Sequence, residues 1–337
     1  MLSTLLLGLE VFVALLLFAL IFACIHFREY QWRRMCGSRT KLTGKTVIIT
    51  GGNAGIGKQA AIDLARRGAS VIIGCRNPQK AEAAVNDIRQ FSGNFKVYYR
   101  PLDLSSMSSV RAFAESFVQE HERLDILINN AGIVSGKPGE RTSEGHDIVF
   151  GTNNFGHFLL TMLLLDVLKA SDQSRVVNVT SRIHKLATNL DMTPLRDEQG
   201  RTVYPKLSGY ACSKLGNILL TKELARRLQD TSVTSFSVSP GGVYTSLFQS
   251  GSNATYSLRD LLFQLLVRPV FWLVLMSEKV GAQTSIYCAV EESITKHSGG
   301  YFSNCQLATN ESDLAKDEGL AKKLWEISCD VTAVSIT

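Results

Sequence analysis

From residue 45 onward the chain alternates short apolar, β-branched runs with stretches in which apolar residues recur every three or four positions. Lys45-Thr-Val-Ile-Ile-Thr50 ends in glycines, and from Lys58 the spacing of Ala60, Ala61, Leu64 and Ala65 runs helically to Gly68. That pattern predicts strand, turn and helix. Residues 71–75, 96–100, 124–128, 175–179 and 233–238 repeat the strand signal, with helical stretches between them. Strands apolar on both faces and alternating with helices imply an α/β fold, a parallel doubly wound sheet with right-handed crossovers. No repeat of fixed period and no linker divides this body, so a single domain is predicted over residues 43–330.

Two segments break the alternation. Residues 4–25 are apolar except for Glu10, and a helix of that length rises ~33 Å, enough to cross a hydrocarbon core. A cleaved secretory signal fits less well, because no basic region precedes the apolar run and arginines follow it. Residues 1–26 are therefore read as a transmembrane anchor and residues 27–42 as a basic linker that keeps the body on the cytosolic side. Residues 258–276 are also apolar, but Arg268-Pro269 interrupts them and argues against a second span. Core helices and a greasy lid resting on the bilayer both remain open for that stretch.

The formal charge of +6 raises the question of nucleic acid, and its distribution answers it. Residues 26–45 hold Arg28, Arg33, Arg34, Arg39, Lys41 and Lys45 against Glu29, and with Glu10 counted only +2 is left for the rest of the body. Nothing there forms a stripe that could track phosphates. Seven scattered cysteines without a C-x-x-C pair predict neither a disulfide framework nor zinc, and a reducing compartment. The six histidines lack ligand spacing, so no metal is expected.

Candidate chemistry sits at the strand ends. A glycine-rich turn between strand and helix frees backbone amides to face a pyrophosphate at the positive end of the helix, and Gly51, Gly55 and Gly57 are spaced for that role. The second strand ends Gly74-Cys75-Arg76 without the acid that would hold a ribose 2′-hydroxyl. Arg76 suits a 2′-phosphate, and Lys58 adds a second positive charge, so NADP(H) is favoured over NAD(H). Tyr210 and Lys214 share a helix face, and an ammonium beside the phenol, together with an oxidised nicotinamide, is expected to favour the phenolate and bring its pKa toward a working pH. Ser181 closes a strand and can hydrogen-bond a substrate oxygen, and Asn153 can hold a water that links Lys214 to solvent.

In order, the chain shows Thr50-Gly51-x-x-x-Gly55-Ile56-Gly57, Asp103-Leu104, Asn129-Asn130-Ala131-Gly132, Asn153, Ser181, Tyr210-x-x-x-Lys214 and Pro240-Gly241-x-Val243-x-Thr245. This ordered set resembles the short-chain dehydrogenase/reductase family over residues 43–310. A narrower likeness is to the membrane-anchored, NADP(H)-preferring retinol dehydrogenase-like subgroup. It is carried by Asn153-Asn-Phe-Gly-His157, Ser181-Arg-Ile-His184, residues 281–288 and Gly300-Tyr-Phe-Ser-Asn-Cys305. The resemblance implies a Rossmann-like fold with Asn153, Ser181, Tyr210 and Lys214 as catalytic residues, of which Ser181 and Tyr210 touch substrate. It implies cofactor contacts from Gly51, Asn53, Gly55, Ile56, Gly57, Lys58, Arg76, Asp103, Leu104, Asn130, Ala131, Tyr210, Lys214 and Thr245.

The expected function is reversible reduction of a lipophilic carbonyl by NADP(H), with retinal to retinol as the leading case and an endoplasmic reticulum membrane as the expected site. Rival substrates are a steroid or a fatty aldehyde, and a rival class is a membrane-tethered lipid-binding scaffold without turnover. Expected partners are the lipophilic substrate, the bilayer and, as an open alternative, a second copy in a homodimer. Residues 186–208, expected to border the pocket, match no subgroup pattern and leave the substrate open.

Overall fold

The computed structural model describes residues 2–32, 35–137, 139–243 and 276–334. Helix α1 spans Leu2–Trp32. The body then runs β1 (Thr46–Thr50), α2 (Gly55–Arg66), β2 (Ser70–Cys75), α3 (Pro78–Ser92), β3 (Val97–Pro101), α4 (Met107–Glu120) and β4 (Ile126–Asn129). It continues through α5 (Ile148–Phe150), a π-helical turn Gly151–Phe155, α6 (Gly156–Leu163), α7 (Leu165–Lys169) and β5 (Ser174–Val179). After a small antiparallel hairpin of β6 (Leu195–Arg196) and β7 (Thr202–Val203) come α8 (Tyr210–Arg227) and β8 (Val233–Ser239). The described chain closes with α9 (Glu278–Gly281), α10 (Gln283–Val290), β9 (Tyr301–Ser303), β10 (Gln306–Leu307) and α11 (Glu318–Thr332).

The main sheet has the order β10-β9-β8-β5-β4-β1-β2-β3, parallel throughout except for β10 against β9. Strand order reverses beside β1, where β2 lies on one side and β4 on the other, with Thr50 opposite Gly74 and Ile48 opposite Leu127. In an open α/β sheet, ligands bind in the crevice that opens at the carboxyl ends of the strands at such a reversal. Five of the six sequence-predicted strands start and end within one residue of their predicted limits, while β4 starts two residues late at Ile126. The strands β6, β7, β9 and β10 carry no such signal because each has only two or three residues.

Alternation along the strands divides the core. Val47 and Ile49 of β1 and Val71 and Ile73 of β2 pack with α2, α3 and α10, whereas Ile48 and Ile72 pack with α4, α6, α8 and α11. Successive strand side chains point to opposite faces, so a strand covered on both sides must be apolar at every position. The start of the sheet is tied by Asp125, which is almost fully buried and accepts from Lys45 at 2.9 Å, Arg123 at 2.6 Å and the Thr46 amide at 2.8 Å.

The amino-terminal helix shows exposed apolar side chains, among them Leu15, Phe18 and Ile21. Among the described residues no helix is long and apolar enough to cross a membrane, so the sequence-based expectation of a span is not borne out by them. The apolar stretch 258–276, apart from Met276, and the predicted cofactor contact Thr245 lie outside the described residues.

Candidate active site

The glycine turn is built by steric need. Gly51 and Gly55 have φ of +65° and +57°, in the left-handed region that favours glycine. Gly57 is closed to any side chain, since a Cβ there would stand 2.6 Å from the Gly51 carbonyl oxygen and collide with the Asn130 amide nitrogen. Ala54 precedes α2 without a side-chain cap, so the first-turn amides face the turn formed by Gly51, Asn53, Gly55 and Ile56. That arrangement is a ready anion cradle.

Thr50 Oγ1 organises the cradle from beneath. It accepts from the Asn130 and Ala131 amides, each at 2.9 Å, and shares its third hydrogen bond with His157 Nε2 at 2.8 Å. Asn130 Nδ2 donates back to the Thr50 carbonyl at 2.9 Å. The end of β4 is thereby laced to the end of β1, and this places Asn130 and Ala131 beside the glycine turn as the sequence predicts.

The other predicted cofactor residues spread along the same sheet edge. Arg76 follows β2 and is exposed. Lys58 forms an ion pair with Asp87 of α3, so its charge is already engaged there. Asp103 follows β3, where its Oδ1 accepts from the Ser105 amide at 2.9 Å and hydroxyl at 2.7 Å. Leu104 is buried, and its backbone packs so closely on Gly156 that a Cβ at Gly156 would strike the Leu104 carbonyl.

The predicted catalytic residues converge from three elements. Tyr210 opens α8 after Gly209, whose φ of +79° again requires glycine. Lys214 lies one turn on, buried, with Nζ donating to the Val179 carbonyl at 2.9 Å and standing 5.4 Å from the centre of the Tyr210 ring. Ser181 follows β5 and begins the 3-10 turn Arg182–Leu186, its Oγ accepting from the Ile183 amide at 3.2 Å. Asn153 is fully buried in the π turn. Insertion of a residue into a helix to make a π turn re-aims backbone groups and often marks a functional site.

One expectation needs correction. In the chain by itself the lowered Tyr210 pKa is not found: burial pushes the phenol up to about 12, and Lys214 rests against the ring while its proton goes to Val179. Burial also pushes the Lys214 ammonium down to about 8. The Asn153 side chain is tied within the protein: Oδ1 accepts from the Ile133 amide at 2.9 Å and Nδ2 donates to the Ile133 carbonyl at 3.0 Å and to Ser213 Oγ at 2.9 Å. Thr50, His157, Ser213 and Asn217 were not singled out by sequence reasoning. Only Thr50 and His157 left a signal, as members of the quoted motifs.

A switch-point glycine cradle joined to a half-buried Tyr210 and a buried Lys214 defines a nicotinamide dinucleotide-dependent oxidoreductase acting on CH–OH groups of a small molecule, and this chain belongs to the short-chain dehydrogenase/reductase family. The short chain dehydrogenase family profile matches residues 45–190. Retinol dehydrogenase 11 of Mus musculus is 42% identical over 302 residues, 90% of each chain. Human retinol dehydrogenase 12 is 43% identical over 307 residues, 91% of this chain and 92% of that one. Human dehydrogenase/reductase SDR family member 13 is 45% identical over 293 residues, 87% of this chain and 74% of that one. Among solved structures, an uncharacterized protein from Mycobacterium Paratuberculosis superposes with a TM-score of 0.67 at 30% identity, covering 90% of this chain and 98% of that one.

Proposed function

We propose that this protein is an NADP(H)-dependent oxidoreductase that interconverts a lipophilic alcohol and its carbonyl, with retinol and retinal as the leading pair. The observation that carries the reading is Lys214, buried one helical turn from Tyr210 with its ammonium pushed down to about 8, an arrangement costly to stability and useful for proton transfer. The retinol dehydrogenase names of the relatives supply the substrate class.

The dinucleotide would supply hydride to the carbonyl carbon. The α2 amino terminus and the Gly51–Gly57 turn would hold its pyrophosphate, the close approach of Gly57 to Gly51 leaving no room for a side chain there. Arg76, exposed at the end of β2, would lie toward the adenosine ribose and favour a 2′-phosphate, while Lys58 is held in its ion pair with Asp87. Asp103 and Leu104 would border the adenine, and the family motif assigns Thr245 to the cofactor from sequence alone. Ser181 and Tyr210 polarise the substrate oxygen, Tyr210 delivers its proton, and Lys214 holds the cofactor ribose and reloads the phenol. A tyrosine with a pKa near 12 is fully protonated at neutral pH, which suits an acid in the reducing direction. With its side chain engaged by Ile133 and Ser213, Asn153 serves the proton relay through its backbone carbonyl.

On the sequence pattern alone, the apolar run of residues 4–25 would anchor the chain in a membrane, with the basic residues after it on the cytosolic side and an endoplasmic reticulum bilayer as the expected site. A lipophilic substrate partitions into that bilayer, so the anchor holds the enzyme where its substrate is concentrated. The catalytic body is read as residues 43–330.

NADPH and NADH oxidation by the detergent-solubilised full chain over retinal, fatty aldehydes and ketosteroids tests the reading. Turnover with NADPH of one class is expected, with kcat falling about 10³-fold in Tyr210→Phe. Arg76→Glu is expected to raise the KM for NADPH about tenfold or more while leaving NADH nearly unchanged. Cofactor binding without turnover of any carbonyl would replace the enzyme reading with a lipid-binding scaffold.

A further inference from the structure

His157 is buried between the two halves of the site, and its hydrogen bonds fix its protonation. A carbonyl only accepts, so the 3.1 Å contact with the Asn153 carbonyl requires the proton on Nδ1. Thr50 Oγ1 already accepts the Asn130 and Ala131 amides, so its own proton goes to Nε2. Burial pushes the imidazolium down to about 4, and Lys214, the charged group facing it, acts in the same direction. Neutral imidazole is therefore the form present at physiological pH. The result is one continuous chain: Asn130 and Ala131 amides to Thr50, Thr50 hydroxyl to His157, His157 to the Asn153 carbonyl.

We infer that His157 is a positioning residue that locks the cofactor cradle to the Asn153 carbonyl, so that the dinucleotide site and the proton relay are held in register by one imidazole. The inference rests on the proposed role of Asn153 in the relay. It explains why a polar side chain occupies a buried position on α6 whose sequence neighbours Phe155, Phe158 and Leu160 belong to the apolar core. An apolar ring there would fill the same volume and leave both the Thr50 hydroxyl and the Asn153 carbonyl without this partner. The Thr50 hydroxyl would keep only the long 3.5 Å contact with the Ile128 carbonyl. A displacement of about 1 Å in a catalytic group can cost about 10²-fold in rate.

The test is a double-mutant cycle on the full chain, using Thr50→Val, His157→Phe and the double variant, with His157→Gln as the conservative replacement that can both donate and accept. The readouts are NADPH affinity by quenching of intrinsic fluorescence, kcat and carbonyl KM. The expected result is that each single variant weakens NADPH about fivefold or more and lowers kcat about 10²-fold with carbonyl KM unchanged. The double variant is expected to be no worse than the worse single one, and His157→Gln to recover most of kcat. Additive losses, or a His157→Phe enzyme with NADPH affinity and kcat like the parent, would overturn the inference. If His157→Phe does not fold, Thr50→Val and His157→Gln still decide it: a Thr50→Val enzyme with unchanged NADPH affinity and kcat sinks it. Failure of the underlying reading is separate, since it would show as an active Tyr210→Phe enzyme.

Discussion

The two walls of the cleft are fastened by the same device and to different parts of the chain. On the cofactor side His157 gives its Nδ1 proton to the carbonyl of Asn153, four residues earlier, and its Nε2 accepts from Thr50 at the end of β1. On the opposite side His184 gives its Nδ1 proton to the carbonyl of Ser181, three residues earlier, at 2.7 Å, and its Nε2 accepts from the Ser312 amide at 3.2 Å. Burial lowers the pKa of both imidazoles, which keeps each neutral and able to accept at Nε2. The first clamp closes on a central strand with paired neighbours on both sides. The second closes on a carboxy-terminal stretch, held next door by the Lys222–Glu311 ion pair at 2.5 Å. The glycine cradle is thus tied to the middle of the sheet, and the Ser181 carbonyl to the carboxy-terminal stretch.

The largest effect falls between the two walls, at Lys214. Lys214→Met is expected to lower kcat by about 10³-fold and yet to raise stability, because a fully buried ammonium is removed and the Val179 carbonyl keeps its 3.1 Å bond from Asn217. The sign follows from its pKa of about 8 in the folded chain against an ordinary 10.5. Between those values the unfolded chain holds a proton that the folded one lacks, so parent stability rises with pH through that window. The gain from Lys214→Met is therefore fullest below pH 8, at roughly 3 kcal/mol, and fades above about 10.5. Urea unfolding at pH 7 and pH 10 checks this, and a variant less stable than its parent at pH 7 would contradict it.

A smaller effect confined to the cofactor wall is expected at Gly57. In Gly57→Ala the added methyl would stand 2.6 Å from the Gly51 carbonyl oxygen and against the Asn130 amide, so the turn must open. NADPH affinity, measured by fluorescence titration, is expected to fall about tenfold or more, since overpacking of this kind typically costs about 1–3 kcal/mol. His184 and Ser181 should be undisturbed, so the carbonyl KM should hold.

How the sequence announces these two walls differs in the same way. The six longer strands, the glycine turn and the spacing of Tyr210 and Lys214 were legible because periodicity and local sterics fix them within a few residues. Thr50, His157 and His184 as clamps were not, because each acts through a partner distant in the chain: Thr50 reaches His157 across 107 residues, and His184 reaches Ser312 across 128. The polar side chains of Asn153 and Lys214 likewise read as a relay from spacing alone. The folded chain shows that the Asn153 amide is already engaged and that burial outweighs the ammonium in setting the Tyr210 pKa. Desolvation depends on everything packed around a group, and no local motif reports it.

The smallest expected effect separates the two clamps most cleanly. Ser312 has φ of −67°, the value that a proline ring imposes, so Ser312→Pro removes the amide that His184 accepts without forcing the backbone. The hydroxyl of Ser312 is buried and makes no hydrogen bond, so its loss takes no partner from the site. What remains is a His184 whose Nδ1 still holds the Ser181 carbonyl and whose Nε2 has lost its anchor in the carboxy-terminal segment. If Ser181 is positioned from that side, kcat should fall severalfold and carbonyl KM should rise, while NADPH affinity stays at the parent value; a single neutral hydrogen bond of about 1 kcal/mol sets the scale. Thr50→Val should give the mirror image, with NADPH affinity lost and carbonyl KM kept. Were Ser312→Pro to weaken NADPH as well, the walls would be coupled, and the separation of cofactor and substrate control would have to be abandoned.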